Sequence, residues 1–149
     1  MTTINFHPAV RDDLEAIVAI YAKDHLGQGR ENPALPLDQR YVAGFDAIDA
    51  DPNQLLLVAE DAGAVVDTMQ ITFIAGIARL GVWRAQLEAV RVHEGRRGLG
   101  LEREMFEWAI AECRRRGCGL MQLTSDNPGR MPNAFARRLD SRPFMWATN

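Results

Sequence analysis

The sequence has little of what holds small proteins together by means other than packing. Only two of its 149 residues are cysteine and three are histidine. Cys113 and Cys118 are too few for a disulfide framework, and with no histidine pair beside them they do not form a zinc site. Both are expected to be reduced and structural, Cys113 on the apolar side of a helix, and no metal is expected. No apolar run approaches the roughly 20 residues that span a bilayer. The start, Met1-Thr2-Thr3-Ile4-Asn5, lacks the charged region and apolar stretch of a secretory signal. These absences predict a cytoplasmic protein without a membrane partner. The formal net charge of −3 argues against a nucleic-acid partner for the surface as a whole. Neither a Gly-Lys-Ser/Thr P-loop nor a full Gly-x-Gly-x-x-Gly fingerprint occurs, which disfavours the common nucleotide folds. Repeats, low-complexity tracts and linkers are also missing, and 47% hydrophobic content suffices for one domain over residues 1–149.

What is present alternates strands and helices. Ile4 to Pro8 reads as a short strand, followed by a helix that Asp12 or Asp13 can cap and that buries Leu14, Ile17, Val18 and Tyr21. Gly27, Gly29, Pro33 and Pro36 make a loop of the next stretch. Leu37 to Ile48 has helical spacing, with Leu37, Tyr41, Phe45 and Ile48 as its buried stripe. Gln54 to Glu60 and Ala64 to Ile74 form a hairpin around Asp61-Ala62-Gly63. Asp67 interrupts the apolar second strand and is expected at a bulge or an exposed edge. Trp83 to Val92 is a further strand, Leu99 to Arg116 an amphipathic helix, and Leu120 to Ser125 a last short strand. A helix over Pro132 to Leu139 completes the pattern. Parallel pairing is expected only across the segment from 84 to 125, so the class is α+β, a mostly antiparallel mixed sheet flanked by helices.

The stretch from Val90 to Glu104 carries the chemistry. A β-branched strand enters the basic turn His93-Glu94-Gly95-Arg96-Arg97-Gly98-Leu99-Gly100 and leaves as a long helix. The first N–H groups of a helix have no partner within it, the macrodipole adds positive charge there, and glycines let an anion approach the backbone. A pyrophosphate suits such a turn.

With that motif in this order of elements, the chain resembles the GNAT superfamily of acetyl-CoA-dependent N-acetyltransferases. The family's signature is Gln or Arg, two residues, Gly, one residue, then Gly or Ala; the run Arg97-Gly98-Leu99-Gly100-Leu101-Glu102 matches it through Gly100. The resemblance implies the GNAT fold and acetyl-CoA as co-substrate. It also implies a cofactor site made of Val90, Arg91 and Val92 with the pantetheine arm, and of Arg97, Gly98, Leu99, Gly100, Leu101 and Glu102 with the pyrophosphate. It implies direct attack by a primary amine of a small molecule or peptide, and it is compatible with a homodimer.

Such a reaction needs a proton acceptor beside the amine. Glu88, placed by strand alternation on the face of Val90 and Val92, is the candidate base. Gln28, Arg30, Glu31 and Trp83 are the candidate acceptor contacts, with the loop before Pro36 as a lid. Two departures stand against the family pattern. Ala136 occupies the position of the usual acid, a tyrosine, and Glu102 puts a carboxylate where a pyrophosphate would lie. At about 6 Å and an effective dielectric of about 20, one such repulsion is roughly 3 kcal/mol before screening. The rival reading is therefore a CoA-binding or regulatory module that keeps the fold and lacks turnover.

Overall fold

A computed structural model describes residues 3–24 and 27–123. Five strands form one sheet in the order β1 (Asn5–Pro8), β2 (Gln54–Asp61), β3 (Ala64–Ile74), β4 (Trp83–Val92), β5 (Cys118–Leu123). Successive pairs are antiparallel except β4 and β5, which run parallel as expected. Helices α1 (Leu14–Lys23) and α2 (Gln39–Ala50) cover one face, and α4 (Leu101–Arg115) covers the other; α3 (Ala78–Gly81) is a single turn before β4. The predicted helix over 132–139 and Ala136 lie outside the described residues.

Burial on both faces explains why β2 reads Leu-Leu-Leu-Val-Ala rather than alternating. Leu55 and Leu57 join Met69, Ile71, Phe73, Ala85 and Leu87 under Met105, Phe106, Ala109, Ile110 and Cys113 of α4. Leu56 and Val58 face the opposite way, against Leu14, Ile17, Val18 and Phe45. Leu57 is fully buried, and truncating such a leucine to alanine costs about 2–5 kcal/mol. Cys113 is fully buried too, and desolvation pushes its thiol up to about 12, which suits the inert role expected of it.

Several elements differ in their bounds from the periodicity, and α2 spans Gln39–Ala50 rather than Leu37 to Ile48. The motif helix begins at Leu101 rather than Leu99, because Gly98 and Gly100 take φ of 79° and 82°, outside the helical range. The final strand starts two residues early, at Cys118.

One irregularity reorients the chemistry. Gln70 pairs with Glu88 and Thr68 with Arg91, so two β4 residues, Ala89 and Val90, oppose Met69 alone. Ala89 is the bulged residue, at φ 50°. The extra residue reverses the alternation of faces beyond it. Val90 packs against the core under α4 and Val92 against Leu101, whereas Glu88 shares the opposite face with Arg91, Thr68 and Gln70. The expectation that Glu88 lies on the face of Val90 and Val92 is thereby corrected.

Candidate active site

The turn after β4 and the start of α4 enclose a cavity of about 210 Å³ lined by Val92, Arg96, Arg97, Gly98, Gly100, Glu102 and Arg103. Its geometry follows from the local sequence. His93 opens the turn, its N–H donating to Val66 O at 2.8 Å and its Nδ1 accepting from the Gly95 N–H at 3.2 Å, a structural role for the ring. Gly100 is the N-cap and offers no side chain to the first N–H groups of the helix. The first helical hydrogen bond runs from the Glu104 N–H to Gly100 O. An L-residue held at the φ of Gly98 or Gly100 costs about 1–2 kcal/mol. A Cβ at either position would meet no atom within 4 Å, so the space above the turn is open. Unpartnered N–H groups, open backbone and three arginines against one glutamate fit a diphosphate.

The arginines are not equivalent. Arg96 is ion-paired with Asp61, and Arg103 with Glu107 at 3.1 Å. Arg97 makes no ion pair among the described residues. Asp67, fully buried beneath this end of the sheet, is the surprise. A register shift beside it in the β2–β3 ladder supplies the expected bulge, but the residue is not at an exposed edge. Desolvation raises its carboxyl to about 8; the Thr68 N–H, donating to Oδ1 at 2.7 Å, works against that rise, and the Glu102 charge adds to it. Asp67 is thus mostly neutral at pH 7 and adds little negative charge beneath the cavity.

Of the residues expected to hold cofactor, Val92, Arg97, Gly98, Gly100 and Glu102 line this cavity. Leu99 is 69% exposed beside it, and Leu101 is buried against Ala59 and Val66, leaving only its backbone to the site. The Arg91 side chain goes elsewhere, pairing with Asp24 at 3.0 Å on the other face. Sequence reasoning did not single out Asp61, whose partnership with Arg96 depends on folding.

The face of Glu88 carries a second polar group. Tyr21 and Thr68 are hydrogen-bonded, and Thr68 Oγ1 donates to Leu57 O at 3.0 Å. Burial pushes the Tyr21 hydroxyl up to about 12, and the charges of Arg91, Glu31 and Glu88 all act on it. Glu31 accepts a 2.6 Å hydrogen bond from Tyr41, which also accepts from the Asn32 N–H at 2.9 Å, tying the loop before Pro36 to α2. Gln28 and Arg30 are exposed on that loop. Trp83 stands apart, five residues before Glu88 on β4, about 16 Å along an extended strand. By spacing Tyr21 belongs to the apolar stripe of α1, and nothing in that spacing distinguishes its hydroxyl. Among the described residues no three His, Cys, Asp or Glu side chains gather as metal ligands, and no helix is long and apolar enough to cross a membrane.

The sequence profile of the Acetyltransferase (GNAT) family matches residues 14–139. Among solved structures, the chain is similar to a transcriptional regulator from Bacillus halodurans C-125, with 36% identity, a TM-score of 0.85, and 94% of this chain and 93% of that one covered. Two others share the fold. Glucosamine-6-phosphate N-acetyltransferase from Arabidopsis thaliana is 18% identical, with a TM-score of 0.70 over 85% and 84% of the two chains. A Clostridium acetobutylicum protein described as a predicted acetyltransferase, solved with acetyl-CoA, is 19% identical, with a TM-score of 0.67 over 86% and 84%. No functionally curated protein matches the chain by sequence.

Proposed function

We propose a function from one premise: the chain belongs to the acetyltransferase (GNAT) family. It transfers an acetyl group from acetyl-CoA to a primary amine of a small molecule by direct attack. The observation that carries this reading is the cavity at the start of α4, where backbone N–H groups and arginines converge on open glycines. Arg97 and the amides from Gly98 to Arg103 hold the pyrophosphate, and β4 around the Ala89 bulge meets the pantetheine arm. Acetyl-CoA, when bound, supplies the activated acetyl group.

The acceptor approaches from the α1 and α2 face. Glu88, whose side chain makes no hydrogen bond or ion pair with another described residue, takes the proton that the attacking ammonium must lose. Glu31, fixed by Tyr41, presents the loop that contacts the acceptor. A neutral Tyr21 hydroxyl remains a hydrogen-bond donor throughout the ordinary pH range. A panel of small amines offered with acetyl-CoA tests this reading by thiol release. At least one amine should release CoA catalytically; the reading fails if none does while CoA still raises the melting temperature.

That failure would favour a second reading, a CoA-responsive regulatory module without turnover. The relative at 36% identity is described as a transcriptional regulator, and Ala136 stands where the family's tyrosine is expected.

A further inference from the structure

We propose that Asp61 is a positioning residue for the anion cradle, acting through Arg96; the inference rests on the cavity being the seat of the acetyl-CoA pyrophosphate. Asp61 ends β2 and is 2% exposed. The Arg96 guanidinium is its counter-charge, and no other described group donates a hydrogen bond to either carboxylate oxygen. A carboxylate removed from water with a single partner is strongly unfavourable unless that opposite charge stays against it. Arg96 therefore cannot swing into solvent, or follow a ligand, without stranding a buried charge.

That constraint reaches the cradle through the chain. Arg96 closes the turn Glu94–Arg96, its N–H donating to His93 O at 2.8 Å, and His93 N–H is tied to Val66 O. On the far side, Leu101 is packed against Ala59 and Val66. The segment 97–100 between these anchors carries the glycines and Arg97. The Asp61 tie fixes its entry as the Leu101 packing fixes its exit. A guanidinium has five N–H donors, so Arg96 can keep one edge on Asp61 and present another to the cavity it lines.

Positioning and simple electrostatics predict opposite signs. If Asp61 only subtracted charge from an arginine-rich cavity, removing its charge would tighten anion binding. If it orders the cradle, removal weakens binding although a net positive charge is gained. Calorimetric titration of acetyl-CoA into the full chain separates the two. Asp61→Asn should raise Kd about 10-fold, which corresponds to ~1.4 kcal/mol, and raise KM for acetyl-CoA with kcat unchanged. Amide exchange over 94–100 should quicken in the ligand-free variant. The double variant Asp61→Asn/Arg96→Gln should bind no more weakly than Arg96→Gln alone. Unchanged or tighter binding by Asp61→Asn, or additive losses in the double variant, overturns the inference while leaving the cofactor reading intact. A wild-type chain that does not bind acetyl-CoA overturns the cofactor reading and the inference with it. Should Asp61→Asn fail to fold, Arg96→Lys takes its place: it neutralises Asp61 but cannot serve both partners, so about 10-fold weaker binding is expected, and wild-type affinity would refute the role.

Discussion

The two polar regions on either side of the Ala89 bulge are made of different material. The cavity at the start of α4 sets backbone N–H groups left open by a glycine N-cap among arginines from one continuous stretch of eight residues, 96–103. The region around Glu88 is side chain, assembled from α1, the loop before α2, β3 and β4. A backbone site depends on which residues are absent, since any Cβ at a left-handed φ strains it. A side-chain site depends on which residues meet, and hence on register. The bulge joins the two, because one inserted residue sends Glu88 and Val90 to opposite faces of the sheet.

Opposite faces imply separable kinetics, and Glu88→Gln is the largest expected effect. It should lower kcat by about 10²-fold or more, in the range for loss of a general base, with KM for acetyl-CoA unchanged. A rise in that KM comparable to the fall in kcat would break the separation.

Asp67→Asn probes the cradle side through pH. The folded-state value of about 8 lies above the ordinary 3.8, so the native chain holds a proton that the unfolded chain has released between those values. Native stability from this group is therefore full below pH 3.8 and lost as pH rises through 8, at no more than ~1.4 kcal/mol per pH unit. Asparagine removes that slope. Thermal melts should show Asp67→Asn stabilised relative to wild type far more at pH 9 than at pH 5; an equal difference at both would mean that Asp67 is ionised throughout.

Glu102→Ala is the smallest effect. Its carboxylate lines the cavity, yet solvent screening and Arg103 reduce the bare repulsion, so acetyl-CoA should bind about 2–5-fold tighter with kcat unchanged. No change would mean that the side chain turns to solvent when ligand is bound.

The same contrast decides what the sequence could reveal. Strand-turn-helix chemistry is local, so the run from Val92 to Glu102 announced the cradle, and the element order brought the fold with it. Strand alternation puts Glu88 on the wrong face because a bulge at an alanine with φ 50° has no residue signature of the kind a glycine at 89 would give. Asp61 and Asp67 look alike as acids in a hairpin. Only folding shows that one is buried against Arg96 and the other against the Thr68 N–H. Tyr21 fits an apolar helical stripe so well that its hydroxyl carries no signal until Thr68 is placed beneath it.

Amide hydrogen exchange with and without acetyl-CoA tests the cradle most directly, because it reads the backbone that does the binding. Protection should appear at the amides from Gly98 to Arg103 and along β4 beyond the bulge, with little change over α2. Saturating acetyl-CoA that left 98–103 unprotected while protecting another part of the chain would contradict the assignment of the anion site.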